Sequence, residues 1–210
     1  MIRLTLLFQI LIWALPSLSQ EGSLAFQTKV NKELYTSIDS SVADLDVFKF
    51  YISGLTFRDS NDSLFQPDRQ FYLVDFESSE STAFPISFPA GFQPNRIEFT
   101  LGIDSLTNVS GVMGGDLDPM KGMYWTWQSG YINWKLETSR FTCHIGGYCS
   151  PFATAHLLSF PAFSIDVNFV VDLDNIMAVL EGQEKLNIMS PGSKAHDLSI
   201  LFKNSISITE

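Results

Sequence analysis

The segment Phe163-Ser-Ile-Asp-Val-Asn-Phe-Val-Val-Asp-Leu-Asp174 reads as a strand with one apolar and one polar face. Phe163, Ile165, Val167, Phe169, Val171 and Leu173 alternate with Ser164, Asp166, Asn168, Asp172 and Asp174, and only Val170 breaks the pattern. Successive side chains of a strand project to opposite faces, so this alternation predicts one buried face and one wet face. Arg96 to Asp104 repeats it, with Ile97, Phe99, Leu101 and Ile103 inward. Further strands are expected at Ser23–Val30, Val47–Phe57, Phe71–Asp75, Ile132–Glu137, Arg140–Ile145 and Ala155–Phe160. Turn-forming residues separate them, among them Ser60-Asn-Asp62, Pro89-Ala-Gly91, Gly114-Gly115, Pro119, Gly146-Gly147 and Pro151. Helix is scarce: a short one from Asp174 or Asn175 to Glu181, ended by Gly182, and another over Ser193–Lys203. The fold class that follows is all-β, an antiparallel β-sandwich with one or two short helices.

The N-terminus has a different character. Arg3 precedes an apolar run from Leu4 to Leu15, and Pro16-Ser-Leu-Ser19 supplies the small residues a signal peptidase requires. About a dozen apolar residues are too few to span a bilayer, which makes residues 1–19 a signal peptide and 20–210 a single mature domain. Without Arg3 the chain carries 12 basic against 23 acidic residues, a charge of −11. An acidic domain with no Lys/Arg cluster argues against nucleic acid and anionic membrane as partners. No second apolar run is long enough for a membrane span. The expected location is outside the cytoplasm, periplasmic or extracellular.

Rare residues concentrate between Leu101 and Glu137, where Trp125, Trp127 and Trp134 occur with Met113, Met120 and Met123 around a Gly/Asp-rich loop. Trp134 shares a face with Ile132 and Leu136 and reads as core. Trp125 and Trp127, two apart, would share a face if extended. The methionines read as packing residues. Asp104, Asn108, Asp116 and Asp118 crowd oxygen ligands into one loop, but their spacing fits turn and cap chemistry better than a calcium loop. Cys143 and Cys149 flank the Gly146-Gly147 turn; a disulfide is the leading reading, with a soft metal site including His144 as the alternative. The other histidines are His156, expected on the side of Thr154 and Leu158, and His196, expected at the surface of the last helix. No nucleophile elbow, HExxH, phosphate loop or dinucleotide fingerprint is present, so no enzymatic activity is expected.

Three blocks carry a family resemblance. They are Val47–Ser53 with Phe71–Asp75; then Phe99–Asp104 with Asn108, Leu117–Pro119, Gly122-Met-Tyr-Trp-Thr-Trp127, Gly130-Tyr131 and Lys135-Leu-Glu137; and then Phe141–Gly147 with Met189-Ser-Pro-Gly192. From about Leu24 to Ile208 the chain resembles the MbnP-like family of exported copper-binding proteins, in its Bacteroidota-type branch. The resemblance implies a β-sandwich that binds copper. Among relatives the ligands include histidine and a tryptophan oxidised to kynurenine by a partner diheme enzyme encoded nearby. By motif, His144 and the pair Trp125/Trp127 are where such a site falls, with His156 a further candidate ligand. The competing expectation is a metal-free secreted or surface recognition domain whose aromatic loop meets a partner.

Overall fold

The computed structural model describes residues 19–209 apart from 40, 43, 129 and 183–185. Most of the expected signal peptide lies outside the described residues. The strands are β1 (Gln20–Val30), β2 (Glu33–Tyr35), β3 (Leu45–Asp59), β4 (Leu64–Phe65), β5 (Phe71–Asp75), β6 (Ala83–Phe88) and β7 (Pro94–Leu101). After helix α1 (Ser105–Ser110) come β8 (Tyr124–Trp125), β9 (Gly130–Thr138), β10 (Phe141–Gly146), β11 (His156–Pro161) and β12 (Asp166–Asp172). Helix α2 (Asp174–Glu181), β13 (Leu186–Ile188), α3 (Ser193–Asn204) and β14 (Ile206–Thr209) complete the chain.

Two sheets form a curled sandwich. The smaller runs β14-β12-β1-β2, with β6 also on β1. The larger runs β11-β7-β3-β9-β10-β13, with β4 and β5 on β3 and β8 on β9. Pairing is mostly antiparallel, as the alternation predicts. Two pairs depart from it: β1 lies parallel to β12 and β10 parallel to β13. Among the described residues the α-helices number three, against the one or two expected.

Alternation places the core. Leu24, Phe26 and Val30 of β1 meet Val167, Phe169 and Val171 of β12 and the inner residues Phe48, Phe50 and Ile52 of β3. Phe163 is the exception in the opening segment: β12 begins only at Asp166, and Phe163 stays 80% exposed before it. Where the smaller sheet leaves the larger uncovered, α3 lies across it. Phe202 stands edge-on to Phe48 and Phe50 and 4.9 Å from the Trp134 ring. Helix α2 matches its expected bounds but not its expected cap. Leu173 is the N-cap, and the Asp174 carboxylate instead accepts from the backbone N–H groups of Asn31 and Lys32.

A second, smaller core lies on the opposite face of the larger sheet. Tyr51, Leu73, Ile103, Leu117, Met123, Trp125, Tyr131 and Ile132 pack there beneath the segment from α1 to β8. The Gly/Asp-rich loop is therefore a lid folded onto the sheet's outer face. The functional candidates sit at its margin.

Candidate functional site

The lid is fastened by two buried amides. Asn108 donates to the carbonyls of Ile103 and Asp104 and accepts from the backbone N–H of Tyr131 on β9. Asn133 does the same work one step away, accepting from Ile103 N–H and donating to Thr154 Oγ1. Asp104 caps α1 by accepting from Thr107 N–H, Asp118 accepts from Met120 N–H, and Asp116 pairs with Arg69 and Lys121. The four oxygen-bearing residues of this loop thus serve turns, caps and ion pairs, as their spacing predicts.

Trp125 and Trp127 do not share an environment. Strand β8 ends at Trp125 and the chain turns at once, which leaves Trp125 4% exposed and Trp127 63% exposed, their rings 6.0 Å apart. The six-membered ring of Trp125 rests where a side chain at position 146 would stand: a Cβ on Gly146 would lie 2.8 Å from it. Its indole N–H is buried with no acceptor among the described residues. Beside it opens a cleft of about 280 Å³ lined by Trp125, Tyr131, Tyr148, Cys149, Phe152 and Pro191.

His144 lies on the same outer face. It pairs across strands with Lys135, which pairs with Lys49, and Lys49 with Asp75. Directly opposed residues of antiparallel strands project to one side, so this row and the Gly146 notch belong to one surface. His144 is 8% exposed, and its Nε2 is 2.6 Å from Glu137 Oε1, which also binds Lys135 Nζ at 3.0 Å. A carboxylate accepts only, so the neutral ring donates from Nε2 and keeps its lone pair on Nδ1. Burial holds the imidazole below its usual range and Lys135 adds to this, against the pull of Glu137. For Glu137, burial pushes upward, but hydrogen bonds from His144 and Lys135 outweigh it and the net shift is downward.

A stability prediction follows for the metal-free protein. Both folded-state pKa values lie below the unfolded ones, so the unfolded chain binds the protons first. The stabilisation is present above the unfolded values and is lost as pH falls through the folded ones. Loss begins below the ordinary histidine value of 6.5 and continues below the ordinary glutamate value of 4.5. Urea midpoints measured from about pH 7 to about pH 5 are expected to fall, and His144→Gln is expected to flatten that fall. An unchanged slope in the variant would show that His144 does not supply it.

Two expectations are corrected here. Cys143 and Cys149 are free thiols rather than a disulfide. The reason is strand geometry: Cys143 faces the core between the sheets, where burial pushes its thiol up to about 12, whereas Cys149 is exposed beyond the Gly146-Gly147 turn. The same geometry removes the Cys–His–Cys metal alternative, since Cys143 and His144, adjacent on β10, project to opposite faces. His156 is not brought to His144 either. It pairs with Leu101, which pairs with Ile52, and so shares the inner face. Among the described residues no three of His, Cys, Asp or Glu converge as a metal cluster. Sequence reasoning missed Glu137 as the partner of His144, although its place in the Lys135-Leu-Glu137 block and the period-two spacing from Lys135 put both on the outer face. It also missed Gly146 as the seat of Trp125.

Compared with known proteins, the chain matches the MbnP family model over residues 19–194. No curated protein matches it. Among solved structures it resembles MbnP from Methylosinus trichosporium with a TM-score of 0.55 at 15% identity, over 76% of this chain and 78% of that one. At that identity the likeness is one of fold. No helix among the described residues is long and apolar enough to cross a membrane.

Proposed function

The chain belongs to the MbnP family, and on that premise we propose that it is an exported protein that binds copper for sequestration or delivery, without turnover. Residues 1–19 are its signal peptide, and the mature domain of residues 20–210 acts in the periplasm or outside the cell. That β1 begins at Gln20, directly after the proposed cleavage point, supports this.

His144 provides the imidazole, a good ligand for copper. Its Nε2–H is engaged by Glu137 at 2.6 Å, the outer-shell arrangement that fixes the tautomer of metal-bound histidines. The observation that carries the reading is Trp125: an indole N–H buried without an acceptor among the described residues, seated on Gly146 on the face His144 shares. A buried indole ordinarily finds a partner. Opened to kynurenine by a diheme oxidase, Trp125 would present an amine and a carbonyl in its place, and the cleft along its edge supplies access. Trp127 is solvent-exposed and is assigned no ligand role.

Metal analysis of protein purified from its native exported compartment tests this, with at least about one copper per chain expected. His144→Ala and Trp125→Phe are each expected to remove one equivalent of copper, and Trp127→Phe to leave the content unchanged. Peptide mapping should place the mass change of oxidation on Trp125. Copper well below one equivalent and indifferent to His144→Ala would overturn the assignment. It would leave the metal-free recognition domain, which the exposed Leu106, Val109, Val112, Met120 and Trp127 of the lid favour.

A further inference from the structure

Away from the lid, the two remaining histidines meet. His156 at the start of β11 and His196 in the first turns of α3 lie with ring centroids 6.2 Å apart and planes at 50°. They are 40 residues apart in sequence and reach each other because α3 crosses the inner face of the larger sheet. Both are half-buried. Neither pairs with a carboxylate among the described residues.

Hydrogen bonding assigns the tautomer of each. His196 Nδ1 is 2.7 Å from the Ala153 carbonyl, which only accepts, so Nδ1 carries the proton and Nε2 the lone pair. His156 Nε2 is 2.8 Å from Ser199 Oγ, and that hydroxyl already donates to the His196 carbonyl at 2.6 Å. Ser199 Oγ therefore accepts from His156 Nε2–H, which leaves the lone pair on Nδ1. Each ring has one nitrogen anchored to the protein and one uncommitted, as in metal-bound histidines whose second nitrogen is held by an outer partner. The anchors are themselves fixed. The loop bearing Ala153 is tied down by Thr154 N–H to the Gly147 carbonyl at 2.9 Å and by Asn133 to Thr154 Oγ1 at 2.8 Å. The Phe152 ring lies 6.5 Å from His196 and flanks it.

From this geometry we infer a second metal site, in which His156 Nδ1 and His196 Nε2 hold a monovalent d10 ion, Cu(I), in two-coordinate fashion. A linear N–metal–N unit with bonds of about 2 Å sets two imidazole centroids roughly 6 Å apart, and the pair already stands at that separation. The charge of the ion follows from its surroundings. Burial first, and then the positive charge of Lys203 and the neighbouring His196, hold His156 toward its neutral form. A neutral imidazole is the metal-binding form, and a lysine nearby disfavours a divalent ion more than a monovalent one. Zinc, which in structural sites takes four ligands, finds two here. The inference does not rest on the His144 reading, because the two sets lie on opposite faces of the larger sheet.

Anaerobic titration of the full-length mature protein with Cu(I) against a chromophoric chelator tests the site. In the His144→Ala protein, which lacks the first site, binding of one ion is expected, weakened at least tenfold by adding His196→Phe, which keeps an aromatic ring beside Phe152, or His156→Gln. A wild-type measurement guards against a variant that fails to fold: adding diamagnetic Ag(I) should shift His156 Nδ1 and His196 Nε2 in long-range proton–nitrogen spectra, with both anchored nitrogens still protonated. Response of His144 alone, no response of any imidazole, or Cu(I) affinity unchanged when His196→Phe is added to a folded His144→Ala protein would each overturn the inference.

Discussion

Replacing Gly146 with alanine is expected to cost about 3 kcal/mol of stability, the upper end of what overpacking a close-packed site costs, and to expel Trp125 from its seat. The added Cβ would stand 2.5 Å from the Tyr131 carbonyl oxygen and 2.8 and 2.9 Å from the Trp125 ring. The carbonyl cannot retreat, since at this point β9 is paired on both sides, with β8 at Tyr124↔Tyr131 and with β10 at Gly146↔Ile132. Trp125 can, because its indole makes no hydrogen bond among the described residues that would hold it. The variant should therefore show a lower urea midpoint together with red-shifted tryptophan emission. Gly114→Ala is the control: its φ is −95° and a Cβ there meets nothing within 4 Å. A Gly146→Ala protein as stable as that control would mean that Trp125 does not occupy the notch.

Trp134→Ala should cost more, about 4 kcal/mol, as large aromatic truncations in cores do. Trp134 is 1% exposed at the centre of β9 and packs against Phe202, the residue that brings α3 onto the sheet. Its indole N–H has no acceptor among the described residues, so the loss is one of packing and cavity formation. In a domain of this size that corresponds to a melting temperature lower by roughly 8–16 °C. Trp134→Phe keeps the ring contact and should recover more than half of the loss. Thermal unfolding followed by circular dichroism measures both. A loss below about 1 kcal/mol on truncation would mean that α3 is not docked through this contact.

The strands that build the core were legible because each alternates over six or more residues. β1, β3, β7, β9, β10 and β11 all fall where Ser23–Val30, Val47–Phe57 and their fellows place them. β6 escaped although Phe84, Ile86 and Phe88 alternate inward in it, because Pro85 interrupts the run. Proline is tolerated there because it faces solvent on an edge strand. β2, β4, β8 and β13 have two or three residues each, too few for any period to show.

The site was legible in part. The outward face of His144 follows from its alternation with Cys143 and Ile145. The split between Trp125 and Trp127 does not, because it depends on a turn directly after Trp125 that two-residue spacing cannot reveal. The expected disulfide failed for a related reason: six positions of separation say nothing about which face of β10 Cys143 occupies. The meeting of His156 with His196 is set by the path of α3 over the sheet, and no local pattern encodes it.

The parallel pairing of β1 with β12 bears on when this protein can fold. Ser23 lies opposite Asp166 and Lys29 opposite Asp172, a separation of 143 residues at each rung. The N-terminal strand can pair early with β6 and β2, but its other edge stays bare until β12 exists. Pairings so distant in sequence slow folding, and a bare edge invites other chains. A chain emerging N-terminus first would thus carry its first strand half-finished until about two-thirds of its length had followed, so the smaller sheet closes as a late event of biogenesis.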